Sequence, residues 1–118
     1  MNRIQLIGRL TKDVEMLKSK TGTEVGKITL AVARPRQKDK EREVDFIDCV
    51  AFGTLGETLA KYIEKGNRIY VEGSLNINKY EDKEGNTRYS TSVIISSFEF
   101  IDFKKTDNVE GQEEIPNV

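Results

Sequence analysis

A two-residue hydrophobic rhythm returns in five separate stretches of this chain and is interrupted once by a helical one. Ile4, Leu6 and Leu10 share one phase while Arg3, Gln5, Arg9 and Thr11 share the other, which predicts a strand with one buried and one wet face. Lys20-Thr21-Gly22-Thr23 has turn chemistry, and beyond it Ile28, Leu30 and Val32 alternate with Lys27, Thr29 and Ala31 as a second strand. Arg34, Arg36, Lys38, Asp39, Lys40, Glu41, Arg42 and Glu43 crowd the next stretch together with Pro35. Such a segment cannot pack a core, so an exposed loop is expected. Val44 to Phe52 returns to the strand rhythm as a third strand.

The interruption follows at once. Thr54-Leu55-Gly56-Glu57 matches a capping box, in which Thr and Glu satisfy each other's backbone N–H groups, so a helix is predicted to start there. Leu55, Leu59, Tyr62 and Ile63 recur at helical spacing, Lys61 and Lys65 sit where the dipole favours cations, and Gly66 can take a left-handed C′ position. The helix is expected to end near Lys65. Ile69, Val71, Leu75 and Ile77 then alternate with polar or tyrosine positions from Arg68 to Tyr80, Asp82 to Asn86 reads as a hairpin tip, and Tyr89 to Phe103 as a long last strand. Three strands, one short helix and two strands predict an all-β, five-stranded OB-type barrel with its helix between strands three and four. A ubiquitin-like fold has too few strands before its helix, and an SH3-like fold normally has no helix at this point.

The chain has 118 residues, enough for one compact domain, which we place at 1–105. Residues 106–118 lose the alternation and hold four acids, and are expected to be a short disordered tail. The formal charge of −1 conceals a division, because 1–105 carries 19 basic and 16 acidic residues while the tail contributes −4. With no histidine and Cys49 as the only thiol, Cys/His zinc sites, internal disulfides, Ser-His-Asp triads and Cys-His dyads are excluded. Cys49 reads as a small interior hydrophobe, and neither a metal nor a cofactor is implied. No stretch has the ~18 apolar residues of a membrane span, and the first nine residues are too short and too soon charged for a signal peptide. A soluble, intracellular protein without a membrane partner is expected.

The third strand points to a surface. One of its phases holds Ile47, Cys49 and Ala51; the other holds Phe46, Asp48, Val50 and Phe52. Burying an unpaired carboxylate costs several kcal/mol, so the phase with Asp48 should face water and carry both phenylalanines with it. On the fourth strand Tyr70 and Tyr80 share a phase with Arg68, Glu72, Ser74, Asn76 and Asn78. Exposed rings near cations are what single-stranded nucleic acid needs, because bases stack on the rings while Lys and Arg track the phosphates. Arg34, Arg36, Lys38, Lys40, Arg42, Lys79 and Arg88 are the candidate cations. On pattern alone a second reading stands beside this one: Phe46 and Phe52 as core residues at a bulge, the tyrosines as rim residues, and the charged stretch as a solvated loop.

Asn2 to Leu10, Ile28 to Pro35, Asp45 to Gly53 and Lys65 to Leu75, taken together and in order, resemble the bacterial and phage single-stranded DNA-binding protein family, over Met1 to about Phe103. The resemblance implies an OB-fold that wraps single-stranded DNA with little sequence preference in replication, recombination and repair, as a non-enzymatic homotetramer in the cytoplasm of a bacterial cell or a phage-infected host. It puts stacking on Phe46, Phe52 and Tyr80 and a subunit contact on Tyr70; from the charge pattern, phosphate contacts are expected at Arg34, Arg36, Lys38, Lys79 and Arg88, and Arg68 is expected beside Tyr70 at the subunit contact. It further implies that Glu113, Glu114, Ile115 and Pro116 form a tip recruiting replication and repair proteins, here without the family's terminal phenylalanine. Arg36 stands where many relatives place a further stacking aromatic, Asp48 where some have a cation, and Asn76 and Asn78 where some have arginines. Those replacements leave an alternative open, an OB-fold protein-interaction subunit of a replication assembly with weak nucleic-acid binding. A metal-dependent nuclease built on Asp45 and Asp48 is disfavoured, because the two acids point to opposite faces of one strand.

Overall fold

The computed structural model describes residues 1–39 and 41–105. Lys40 and the acidic stretch 106–118, including the expected tip at Glu113 to Pro116, lie outside them. Seven elements follow in order: β1 (Ile4–Leu10), β2 (Glu15–Lys18), β3 (Glu24–Ala33), β4 (Val44–Phe52), α1 (Thr54–Tyr62), β5 (Arg68–Glu81) and β6 (Thr87–Phe100). Strand β1 serves two neighbours. It pairs antiparallel with β5 from Ile4 opposite Gly73 to Arg9 opposite Arg68, and its end also meets β3, with Leu10 opposite Leu30. Strands β5 and β6 pair antiparallel, β6 lies parallel to β4 through Val93 beside Cys49, and β4 pairs antiparallel with β3. The result is a closed ring, β1-β5-β6-β4-β3, with the helix between the third and fourth ring strands in chain order.

The sixth strand, β2, was not expected. It hangs outside the ring on β3, with Leu17 opposite Val25. The predicted turn is the tip of this hairpin, closed by Ser19 N–H to Thr23 O at 2.8 Å and Gly22 N–H to Ser19 O at 2.9 Å.

The inward phase of every ring strand supplies the core: Leu10, Ile28, Leu30, Cys49, Ala51, Ile69, Val71, Val93 and Ile95, capped by Leu59 and Ile63. Ile47, expected among them, is only partly buried and packs against this cluster. Burial pushes the Cys49 thiol up to about 12, with Asp48 adding to the shift, so it stays protonated as an inert packing group. In β6 the inward positions step from Val93 and Ile95 to Phe98 and Phe100. One extra residue near Ser96 rephases the strand, since Glu72 pairs with Ser97 but Gly73 with Ile95, and Ser96 Oγ donates to Glu72 O at 3.1 Å.

Both ends of the helix differ from expectation. No side-chain hydrogen bond caps it; Gly53 is the cap residue and Thr54 is already helical. At φ +61 Gly53 turns the chain sharply out of β4 while its N–H is held by Glu24 O at 2.7 Å. That turn takes the place of the Thr54/Glu57 box, and Glu57 N–H bonds Gly53 O instead. The helix stops at Tyr62 because Ile63 turns extended to enter the core. Gly66 does adopt a positive φ, but its N–H goes to Leu10 O at 2.8 Å, tying the turn before β5 to β1 rather than capping the helix.

The last strand ends at Phe100, not Phe103. Ile101 and Asp102 N–H groups both bond Arg68 O, and Asp102 accepts from the Arg68 backbone and guanidinium at 2.9 to 3.1 Å. The chain then lies back on α1, where Lys104 N–H bonds Tyr62 O and its Nζ donates to Ala60 O. The Phe100 ring packs at a tilt against Tyr62, Phe98 and Phe103, with centroids 5.2 to 5.8 Å away.

The helix reaches the ring through two glycines. A Cβ on Gly56 would lie 2.6 Å from Ala51 O and 2.7 Å from Gly26 N, both backbone atoms of paired strands. Gly56→Ala gains about 1 kcal/mol of helix propensity but forces the helix off the sheet, and overpacking typically costs about 1–3 kcal/mol. Urea unfolding should therefore show a net loss of stability. A variant as stable as the parent would mean that the helix shifts freely.

Candidate nucleic-acid interface

Opposite residues of antiparallel strands share a face, so the pairing register defines the outer surface row by row. Phe46 lies opposite Ala31, Asp48 opposite Thr29, Val50 opposite Lys27 and Phe52 opposite Val25. On the other side of β4, Val50 lies beside Ile94, and β6 continues the face into β5 through Ser92 opposite Asn76, Ser90 opposite Asn78 and Arg88 opposite Tyr80. Phe46, Phe52 and Tyr80 thus stand on one outer face spread over three neighbouring strands, at 69%, 47% and 51% exposure. Their rings are not core residues at a bulge. Asp48 shares the face, where its Oδ1 accepts from Thr29 Oγ1 at 2.9 Å.

The cations fall into two groups. Arg34 is engaged within the protein: its guanidinium donates to both oxygens of Asp45 at 2.8 to 3.1 Å and to Glu43, while its backbone N–H bonds Glu43 O. This clasp closes the base of the charged loop, and Arg42 reinforces it by donating to Arg34 O. Arg88 is likewise engaged, donating to Asp82 at 2.9 Å, while Asp82 also accepts the Glu84 and Asn86 N–H groups of the hairpin tip. Arg36, Lys38 and Lys79 make no ion pair among the described residues. Arg36 and Lys38 lie on the exposed loop. Lys79 does not join Tyr80, because it sits opposite Tyr89 on the reverse face of the hairpin.

The two residues expected at a subunit contact lie along the first half of β5. Tyr70 is half-buried, accepting from Gln5 Nε2 at 2.9 Å and donating to Glu72 Oε1 at 3.1 Å. Arg68 spends its planar fork on Asp102. Asp45 and Asp48 carry separate partners on opposite faces, and no group of three Cys, Asp or Glu residues that could hold a metal occurs among the described residues. No helix among them is long and apolar enough to cross a membrane. The signal for β2 in the sequence is the turn flanked by Met16-Leu17 and Val25, a hairpin pattern.

Comparison with known proteins agrees with this geometry. Residues 1–101 match the model of the single-strand binding protein family. A "Single-stranded DNA-binding protein" of Clostridium perfringens (strain 13 / Type A) is 50% identical over 103 residues, covering 86% of this chain and 67% of that protein. "Single-stranded DNA-binding protein 2" of Streptococcus agalactiae serotype V is 42% identical over 116 residues, covering 93% and 88%, respectively. "Single-stranded DNA-binding protein 1" of Staphylococcus aureus (strain MSSA476) is 40% identical over 109 residues, covering 92% and 70%.

The arginine clasps make a small part of the stability sensitive to acid. Hydrogen bonds from Arg34, Arg88 and Arg68 hold the Asp45, Asp82 and Asp102 carboxyls below their ordinary value of 3.8. A depressed folded-state pKa adds stability above the unfolded pKa, and that stability is lost as pH falls through the folded one. The contribution of these pairs to the melting temperature should be constant down to about pH 5 and vanish progressively below about pH 4. Asp102→Asn should flatten part of that acid limb; an unchanged limb would show that its pairing with Arg68 adds nothing.

Proposed function

The chain belongs to the single-strand binding protein family, and from that membership we propose that it binds and protects single-stranded DNA without sequence preference during replication, recombination and repair. The observation that carries the mechanism is the placing of Phe46, Phe52 and Tyr80 on one exposed face of three adjoining strands. Bases stack on these rings, which the register of the sheet holds apart. Every base has a π-face, so the contact is blind to sequence. Arg36, Lys38 and Lys79 neutralise phosphates, the last from the far side of the hairpin. Arg34 and Arg88 add to them only by exchanging a carboxylate for a phosphate. No bond is made or broken in this cycle, so the protein acts as a binder and not as an enzyme.

We further propose that it works as a homotetramer in the cytoplasm, with Tyr70 and Arg68 at a subunit contact, and that the acidic residues Glu113 and Glu114, with Ile115 and Pro116, contact replication and repair proteins. Membership of the family supports the first part. Light scattering at micromolar concentration should then give a mass near four chains, whereas a monomer would remove the assembly.

Titration with oligothymidylate tests the interface itself. Phe46→Ala, Phe52→Ala and Tyr80→Ala should each weaken binding by about 1–3 kcal/mol while unfolding stays cooperative. Normal binding with much earlier melting would make the rings structural. Affinity should fall with salt by about 0.7 log unit per phosphate neutralised. The slope should be shallow, since Arg34 and Arg88 already hold carboxylates. A salt-independent affinity would contradict the phosphate contacts, and equally tight double-strand binding would contradict stacking.

A further inference from the structure

The outer face does not end at Phe52. Val25 lies opposite Phe52 on one side and opposite Leu17 of β2 on the other, so Leu17, Val25 and Phe52 form a single row across three strands. At about 4.8 Å between strands the row spans roughly 10 Å. Both of its ends are open, Leu17 at 44% exposure and Phe52 at 47%, with Val25 partly covered between them. The alternate residues, Met16, Gly26 and Ala51, form the inward row, with Gly26 against Gly56 of the helix. The exposure of Leu17 is therefore imposed by the strand phase. A leucine on a four-residue strand outside the ring gives nothing to the core and carries an apolar side chain into water.

We infer that Leu17 and Val25 extend the stacking platform beyond Phe52 and that a base of the bound single strand lies over this row, so that β2 is part of the nucleic-acid path. This rests on the proposed function and adds to it residues that neither the aromatic pattern nor the resemblance indicated. The row is continuous with the ring face at Phe52, and a base resting on that ring overhangs toward Val25 at cross-strand distance. Lys27 stands in the next row of the same face, between Glu15 and Val50, and offers a cation to an adjoining phosphate, whereas Lys18 has the opposite parity and lies opposite Glu24. The path then turns off the ring at the β2–β3 hairpin.

The chain has no tryptophan, so single indoles can report each position. Oligothymidylate is titrated into Leu17→Trp, Phe52→Trp and Phe46→Trp chains while emission is followed. Leu17→Trp emission should be quenched along with that of Phe52→Trp. Leu17→Ser should bind about threefold to tenfold more weakly with an unchanged melting temperature, because the side chain supports nothing in the core. Quenching in Phe52→Trp without any change in Leu17→Trp, or full affinity in Leu17→Ser, would overturn the inference and leave the proposed function standing. Absence of binding and of quenching in all three indole chains would remove both. A Leu17→Trp emission that shifts with protein concentration before oligomer is added would mean that a second copy covers the row, which also overturns it.

Discussion

Closure of the ring through β1 is the constraint on which everything else depends. Because β1 reaches β5 along its length and β3 at its end, the five strands enclose one interior, and each residue is committed by its parity to that interior or to the outside. Inside there is room for Leu10, Ile28, Leu30, Ile69, Val71, Val93 and their neighbours. Phe46 and Phe52 cannot join them without slipping β4 by one residue, which would turn Cys49 and Ala51 out and Asp48 in. The same parity that builds the core therefore holds the rings in water, and no local strain is needed to keep them there.

Electrostatics are arranged more thriftily than the count of basic residues suggests. Arg34, Arg68 and Arg88 each face a carboxylate, and each of these pairs does structural work: one closes the charged loop, one anchors the segment after β6 beside β5, one shapes the hairpin tip. Exposed pairs of this kind contribute little to global stability. Their effect is local, fixing the ends of segments that would otherwise wander.

The sequence made the ring strands, the inward residues and the wet-face aromatics legible, because a period of two is a direct image of strand geometry and Asp48 labels the wet phase. Other features needed contacts between distant segments. The clasp of Arg34 on Asp45 exists only once the loop has closed, so the sequence shows Arg34 as a candidate cation without its partner. Thr54 and Glu57 match a capping pattern that the positive φ of Gly53 pre-empts. Ile63 fits both the helical stripe and an extended residue, and burial decided for the latter. Strand β2 was within reach of the pattern as well, since four residues before a Thr-Gly turn are enough to form it.

The pairing scheme also dictates the order in which a growing chain can complete itself. Strands β3 and β4 meet early, and β1 can join β3 as soon as both exist, but β1 then waits for β5 and β4 for β6. One hairpin, β5–β6, supplies both missing partners, and it is the last part of the fold to be synthesised. Until then the nascent domain presents two unpaired strand edges beside a half-formed core, the form of partly folded protein most prone to pair with a neighbour. The final hairpin removes both edges in a single event, so the half-formed core is closed in one step.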